Sequence, residues 1–216
     1  MAKKKIANLR EDYSKKKLDI SDVLKNPMKQ FEIWIMEALK SKVPEPNAMT
    51  LSTVNPKGLP TARIVLLKAL DENGFTFYTN YKSQKGKEMD KNQNVALTFV
   101  WLGLERQVRI EGVVKKVSRK TSEKYFQSRP KASQMGAWVS SQSKVIKNRK
   151  VLEKSMKNLE EKYKDAEVLP CPPHWGGYIV QPVTIEFWQG RRSRLHDRIR
   201  YKLTKKGKWK MERLAP

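Results

Sequence analysis

The chain has 216 residues, of which 38% are hydrophobic and 31% charged, a balance typical of a globular domain with a sizeable core. No stretch approaches the roughly 18 consecutive apolar residues of a membrane span, and no signal-peptide segment follows the basic start. We therefore expect a cytoplasmic protein without a membrane partner. With Cys171 as the single cysteine, an intramolecular disulfide and a thiolate metal cage are excluded, and we expect no metal.

The formal charge is +24, from 46 Lys and Arg against 22 Asp and Glu. Such an excess favours a polyanionic partner, which could be nucleic acid, an anionic membrane or small phosphorylated molecules. Short lysine runs such as 3–5, 15–17 and 205–206 could equally form a solvated surface. The lysines alone do not decide between these interpretations, and the placement of the arginines is more informative.

The first 25 residues are polar and basic and are predicted to form a mobile arm, followed by a single domain over residues 26–216. A helix is predicted to begin at the start of that domain, because Asn26 can act as N-cap and Pro27 as the first helical residue. Apolar residues from Phe31 to Leu39 recur at three- and four-residue spacing, which gives this helix one apolar stripe.

Most of the remaining chain has the composition of strands separated by turn signals. About seven or eight strands are predicted, in residues 48–54, 59–70, 75–80, 95–101, 106–117, 178–188, 198–204 and 209–214. Helices are predicted over residues 83–92, 121–128 and 134–140, with a long amphipathic helix from Ile146 to Tyr163. Strands and helices do not alternate regularly, so we expect a mainly β fold with peripheral helices (α+β), an antiparallel barrel. Dinucleotide-binding and P-loop motifs do not occur in the sequence.

The segment from Gln189 to Arg198 is the richest in chemistry. If it is extended, Arg194, His196 and Arg198 lie on one face, and Leu195 between them suggests a half-buried strand. Two guanidiniums beside an imidazole suit an anionic or planar electron-rich ligand. The alternative is a solvated basic loop, and we favour the binding site.

Tyr125, Arg129 and Ser133 form a second candidate site, because they are spaced by four residues. A phenol, a guanidinium and a hydroxyl that converge would bind a phosphate group, although Pro130 must bend the path. A capped helix end with an incidental surface arginine is an equally good interpretation of the spacing.

A third group of residues includes Arg63 and Lys68, which a regular strand would place on opposite faces. They should serve different ligands unless a bulge intervenes. The segment 83–85 opens a helix, where backbone N–H groups and the helix dipole favour a phosphate. The neutral hydrogen-bonding residues Gln107 and Gln142-Ser143 are of the kind that contact a flavin edge. Paired carboxylates and a Ser-His-Asp order are not evident, so hydrolytic chemistry has little support.

At these positions the chain closely resembles the pyridoxamine 5'-phosphate oxidase family. The matching segments occur in family order over nearly the whole chain. They include Arg63-Ile-Val-Leu-Leu-Lys68, Phe77-Tyr-Thr-Asn80, Leu104-Glu-Arg-Gln107, Tyr125-Phe-Gln-Ser-Arg-Pro130, Ser133-Gln-Met-Gly-Ala-Trp-Val-Ser140, Trp175-Gly-Gly177, Glu186-Phe-Trp-Gln-Gly190, Arg194-Leu-His-Asp-Arg198 and Arg213-Leu-Ala-Pro216.

The resemblance implies an FMN-binding split β-barrel and a homodimer with FMN at the subunit interface. Carried onto this sequence, the implied FMN contacts are Arg63, Ile64, Val65, Leu66, Leu67, Lys68, Tyr78, Thr79, Gln84, Lys85, Gln107, Gln142, Ser143, Trp188 and Arg198. The substrate phosphate would bind Lys68, Tyr125, Arg129 and Ser133, while the catalytic pair Arg194 and His196 would hold the pyridine ring. Arg10 and Tyr13 match the part of the family's arm that covers the substrate.

The implied activity is oxidation of pyridoxamine 5'-phosphate and pyridoxine 5'-phosphate to pyridoxal 5'-phosphate. FMN would take a hydride equivalent from the substrate C4' carbon, with O2 as acceptor and H2O2 as product. One position departs from the family pattern, because Gln84 stands where the family usually has arginine. One phosphate-facing charge is lost there, so the resemblance does not extend to the strength of FMN binding.

Two other classes of protein compete with this interpretation. A nucleic-acid-binding protein would explain the charge, but the sequence lacks a recognisable nucleic-acid-binding motif, so we expect no nucleic-acid partner. The second is a different split-barrel flavoprotein, either a nicotinamide-dependent reductase or a flavin-binding module without oxidase activity. The presence of Arg129, Arg194 and His196 favours the oxidase.

Overall fold

The computed structural model describes residues 11–216, and this part of the chain contains five α-helices and nine strands. The helices are α1 (Pro27–Lys40), α2 (Gln84–Lys91), α3 (Arg119–Gln127), α4 (Lys131–Val139) and α5 (Lys150–Lys162). The strands are β1 (Ala48–Val54), β2 (Pro60–Leu66), β3 (Ala69–Asp71), β4 (Gly74–Asn80), β5 (Asn94–Trp101), β6 (Arg106–Lys116), β7 (Trp175–Gln189), β8 (Asp197–Leu203) and β9 (Trp209–Leu214).

The strands form one sheet in the order β2-β1-β5-β6-β7-β4-β3, with β8 paired to β7 and β9 paired to β8. The pairings β3–β4, β4–β7, β7–β8 and β8–β9 are antiparallel. The prediction of a mainly β fold with peripheral helices is therefore confirmed. Within the described residues, no helix is long and apolar enough to cross a membrane.

The predicted strand over residues 59–70 is wrong in one respect, because it is two strands. β2 ends at Leu66 and β3 begins at Ala69, and in the break the Lys68 backbone N–H donates to the Thr76 carbonyl at 2.8 Å. Because the strand is interrupted, Arg63 and Lys68 do not follow one regular two-residue alternation. The predicted start of the last helix is also too early, since Ile146 lies before α5.

The described chain divides into two compact units. Unit 1 comprises residues 11–49, 97–111 and 182–216, and unit 2 comprises residues 50–96 and 112–181. In unit 1 the apolar stripe of α1 packs on the sheet: Phe31 lies 4.9 Å from Phe99 and Trp34 lies 5.0 Å from Phe187, between ring centroids. The division expected at residue 26 stays a prediction.

In unit 2 a second hydrophobic cluster holds α3 and α4 in place. Its buried residues are Phe126, Met135, Leu169, Cys171 and Trp175. Arg119 on α3 donates hydrogen bonds to the carbonyls of Cys171, Pro172 and Trp175, which fixes the Pro-rich loop. The loop in turn presents Trp175 at the start of β7.

We predict that Asn26→Ala destabilises the protein by about 1 kcal/mol, because Asn26 Oδ1 accepts from the N–H groups of Met28 at 2.9 Å and Lys29 at 3.3 Å. The measurement is the urea midpoint at constant slope. Asn26→Ser keeps an oxygen at the cap and should recover most of the loss. Equal midpoints for the alanine variant and the wild type would contradict the capping role.

Candidate active site

Unit 2 contains a cleft of about 610 Å³ between the ends of β2 and β4 and the helices α2, α3 and α4. Many residues predicted for the FMN and substrate sites line it: Ile64, Val65, Leu66, Lys68, Tyr78, Thr79, Lys85, Tyr125, Arg129, Ser133 and Gln142. Six further lining residues were not predicted: Asn80, Pro130, Gly136, Ala137, Ser140 and Trp175. Asn80, Trp175 and the 133–140 segment lie in strings that match the family, which was the available signal.

Tyr125, Arg129 and Ser133 line the same cleft, and their predicted role in binding a phosphate stays a prediction. Tyr125 is in the last turn of α3, Arg129 is in the link, and Ser133 is in the first turn of α4, where its N–H donates to the Pro130 carbonyl at 2.8 Å. Pro130 cannot continue α3, so it bends the chain and α4 starts there.

The Arg129 guanidinium lies over the Trp175 ring, with Cζ 4.7 Å from the centroid. Its Nη1 is buried and has no hydrogen-bond partner in the described part of the chain. Burial lowers the pKa of Arg129, and the nearby Tyr125 counters this shift. A buried guanidinium N–H without a partner suits an oxyanion, which accepts charge-assisted hydrogen bonds.

Three nearly parallel aromatic rings form one wall of the cleft. Tyr78 and Tyr125 stack at 3.8 Å, and Trp175 lies 5.5 Å from Tyr78, between ring centroids. Burial raises the pKa of Tyr78 and of Tyr125, so both phenols are protonated at neutral pH. Each hydroxyl can therefore donate a hydrogen bond to an anion in the cleft.

Lys85, in the first turn of α2, makes its hydrogen bonds to uncharged side chains. Its Nζ lies 3.4 Å from Thr79 Oγ1 and 3.2 Å from Gln142 Oε1. Burial, followed by the positive charge of Arg63, lowers its pKa, and Glu88 partly opposes this. The Lys85 ammonium group, with the neutral side chains of Thr79 and Gln142 beside it, could hydrogen-bond a phosphate or the polar edge of a ring.

Arg63 does not line the cleft. Its guanidinium donates to Thr53 Oγ1 at 2.5 Å and to Thr61 Oγ1 at 2.6 Å, and lies 3.3 Å from Glu88 Oε2. Gln84 donates to the same carboxylate at 2.9 Å and is also absent from the cleft lining. Glu88, which was not predicted, is thus the centre of a polar network. The FMN contacts of Arg63 and Gln84 stay predictions.

A second group of predicted site residues lies in unit 1. The His196 ring centroid is 4.6 Å from that of Trp188 and 5.9 Å from that of Tyr13. His196 Nδ1 accepts the backbone N–H of Arg191 at 3.1 Å, so the proton of the neutral ring is on Nε2. Burial and the charge of Arg194 lower the pKa of His196, with Asp197 opposing, and a neutral imidazole results at pH 7.

The predicted extended segment carrying Arg194, His196 and Arg198 is wrong. Residues Arg192–Arg194 form a 3₁₀ turn in which Ser193 has φ 54° and Arg194 has φ 61°, and β8 starts at Asp197. Leu195 is 69% exposed, which contradicts the predicted half-buried strand. A positive φ at two consecutive residues turns the chain, so the simple two-residue alternation does not apply.

The other predicted residues are distributed as follows. Arg198 on β8 makes a bidentate ion pair with Glu186 at 2.9 and 3.1 Å, which raises its pKa. Gln107 lies on β6, and Ser143 lies in a loop with φ 70°. Leu67 is buried at the break between β2 and β3. Arg10 lies outside the described residues.

Comparisons with known proteins agree with this geometry. A family model described as pyridoxamine 5'-phosphate oxidase matches residues 35–163. A model described as the pyridoxine 5'-phosphate oxidase C-terminal dimerisation region matches residues 175–216. The pyridoxine/pyridoxamine 5'-phosphate oxidase 1 of Ralstonia nicotianae is 55% identical over 211 residues, covering 98% of this chain and 99% of that one.

A second relative, the pyridoxine/pyridoxamine 5'-phosphate oxidase of Nostoc punctiforme, is 54% identical and covers 99% of each chain. Among solved structures, PhzG from Burkholderia lata 383, in complex with tetrahydrophenazine-1-carboxylic acid, aligns with a TM-score of 0.85 at 26% identity. That alignment covers 91% of this chain and 95% of PhzG.

The fold and the cleft thus define a split-barrel oxidoreductase, and the predicted split β-barrel class is confirmed. The chain belongs to the pyridoxamine 5'-phosphate oxidase family.

The buried Glu88 network generates a pH-dependent prediction. Burial alone would raise the pKa of Glu88, but hydrogen bonds from Thr53, Thr61 and Gln84 and the charge of Arg63 lower it below the ordinary 4.5. Its stabilisation is therefore present above pH 4.5 and is lost as the pH falls through the lowered pKa. Glu88→Gln should destabilise the protein by roughly 1–3 kcal/mol at pH 7.

The difference in unfolding free energy between the wild type and Glu88→Gln, measured in urea, should shrink as the pH is lowered below 4.5. Glu72→Gln, in the exposed turn before β4, is the matched control and should show no such effect. A Glu88→Gln penalty that stays constant from neutral to strongly acidic pH would show that the carboxylate charge is not what stabilises the network.

Proposed function

We propose that this protein oxidises pyridoxamine 5'-phosphate and pyridoxine 5'-phosphate to pyridoxal 5'-phosphate, using FMN and O2 and releasing H2O2. The observation that carries the proposal is the buried Arg129 N–H without a partner among the described residues, in a cleft that Tyr125 and Ser133 also line. These three groups form a receptor for a phosphate monoester. The names of the relatives at 52–55% identity supply the substrate class.

The phosphate end of the substrate would bind Arg129, Tyr125, Ser133 and Lys68. Because these groups are remote from the reacting carbon, their binding energy would orient the substrate. Trp175 holds the guanidinium face, so that the edge N–H groups of Arg129 stay directed away from the indole. No acid has to be placed beside the phosphate, whose negative charge would stabilise the partly buried arginine.

The residues of unit 2 also suit FMN. Lys85, Thr79 and Gln142 provide donors and acceptors, and the backbone of residues 64–66 lines the same cleft. When bound, FMN would supply the two-electron redox chemistry, with O2 as final acceptor and H2O2 as product. The alcohol would give the aldehyde directly, whereas the amine would consume one water and release ammonia. The family's dimerisation region at residues 175–216 supports a homodimer, and we propose that FMN lies at its interface.

His196 and Arg194 would contact the pyridine ring of the substrate. The neutral His196 ring, with its proton on Nε2, can donate a hydrogen bond to the oxygen of the hydroxyl group on the pyridine ring. Arg194 is exposed and free to approach a planar ligand face. No strong base is needed, because the hydride equivalent leaves the substrate carbon for the cofactor.

The direct test uses purified protein loaded with FMN and desalted. We expect a yellow protein that releases one H2O2 for each pyridoxal 5'-phosphate formed from pyridoxamine 5'-phosphate. A preparation that retains FMN but gives no peroxide with either substrate would refute the oxidase activity.

Arg129→Ala should raise KM for pyridoxamine 5'-phosphate by about 10- to 100-fold, because a charge-assisted hydrogen bond to phosphate is lost. FMN retention should be unchanged, since Lys85 and its partners remain. Steady-state kinetics and flavin absorbance measure the two effects. An unchanged KM would show that the phosphate binds elsewhere.

His196→Ala should lower kcat about tenfold or more while FMN retention stays near the wild-type value. His174→Ala is the control: this imidazole does not line the cleft, although its Nε2 lies 3.3 Å from the carbonyl of Ala137, which does. Loss of FMN from the His196 variant, with normal turnover of the remaining holoprotein, would contradict a role at the substrate ring.

A further inference from the structure

The backbone of residues 15–18 is hydrogen-bonded to Arg191, Asp197 and Arg213 of unit 1, and a buried carboxylate holds it at Lys15. Glu105 Oε2 accepts the Lys15 backbone N–H at 2.9 Å, and Lys15 Nζ donates to the Gly103 carbonyl at 2.7 Å. Glu105 is 8% exposed. The segment therefore docks by specific hydrogen bonds at Glu105 and at the neighbouring turn Leu102–Leu104.

Glu105 itself is held rigidly. It has φ 55° at the end of the turn, and its carbonyl accepts the Gly190 N–H at 2.7 Å and the Gln189 side-chain amide at 3.2 Å. The next residue, Arg106, donates to Gln189 at 2.9 Å and to Glu37 at 2.6 Å. The backbone position of Glu105 is thus set by bonds that do not involve residues 13–18.

The surroundings of Gly190 show independently that Tyr13 packs directly against the backbone at Gly190. A Cβ at Gly190 would lie 2.7 Å from both Cβ and Cγ of Tyr13, and 3.0 Å from Glu105 Cβ. Real Cβ atoms do not make contacts this short, so any other residue would displace the tyrosine. In this position the Tyr13 ring lies 5.8 Å from Trp188 and 5.9 Å from His196, between centroids.

We propose that Glu105 is a positioning residue: its carboxylate holds the backbone of Lys15 so that Tyr13 covers His196 and Trp188. The proposal rests on the proposed function in one respect, that His196 contacts the substrate. The chemistry suits the task, because the buried carboxylate accepts the Lys15 backbone N–H while the Lys15 ammonium group donates to the Gly103 carbonyl. A charge-assisted bond to a backbone N–H is stronger than a neutral one.

The first readout is independent of catalysis. Trypsin should cleave after Lys15, Lys16 and Lys17 only when this segment detaches from Glu105. The cleavage rate then follows the fraction of molecules in which the segment is detached. In the FMN-loaded protein, Glu105→Ala should raise cleavage at these bonds about tenfold or more relative to cleavage in α5. Gly190→Ala should do the same by displacing Tyr13. Glu32→Ala, which removes an exposed acid from α1, is the control and should match the wild type.

The second readout is the split between KM and kcat. Glu105→Ala and Tyr13→Ala should each raise KM for pyridoxamine 5'-phosphate severalfold at unchanged FMN retention, and the double variant should show no further rise. Glu105→Gln keeps an acceptor oxygen and should recover part of the effect.

Unchanged cleavage at residues 15–17 in Glu105→Ala would overturn the proposal. Cleavage that rises equally in α5 would also overturn it, because it would indicate general destabilisation. If the wild type fails to oxidise the substrate, the proposed function is wrong, but the protease comparison still decides whether Glu105 seats this segment.

Discussion

The site in unit 2 depends on cations that have no carboxylate of their own. Arg129 packs its face on Trp175 and leaves a buried N–H unpaired within the described residues, and Lys85 contacts the neutral groups of Thr79 and Gln142. Leaving a fully buried charge without its partner costs about 3–5 kcal/mol, and less when the group is only half-buried, as here. A bound dianion would remove this cost. The cleft therefore lowers the stability of the free protein, and a bound phosphate would offset this cost.

In contrast to Arg129, Arg63 and Arg198 already form ion pairs with carboxylates. Arg63 is held by Glu88 and two threonines, and Arg198 is held by both oxygens of Glu186. A ligand at either arginine would have to share it with a carboxylate. Glu88 also accepts from Gln84. The Gln84 side chain thus belongs to the polar network around Arg63 and Glu88.

The charge of +24 acts at longer range than these contacts. A strongly positive surface raises the local concentration of small anions and speeds their encounter with a site, without adding to the specificity of binding. Specificity then comes from the few groups with fixed geometry. Glu105 is one such group: its carbonyl accepts from Gln189, and its carboxylate accepts the Lys15 backbone N–H.

The amino-acid sequence by itself determined the local elements and the membership of the site. Asn26-Pro27 defined the start of α1, turn residues separated most strands, and the family strings identified most residues of the cleft. Only the tertiary structure decided how Arg63, Arg194 and Glu105 are used. Periodicity assumes regular backbone, and it fails where β2 breaks before Lys68 and where Ser193 and Arg194 adopt positive φ. The carboxylate that pairs with Arg63 is 25 residues away, and the backbone N–H that Glu105 accepts is 90 residues away. Sequence spacing carries no information about contacts between such distant residues.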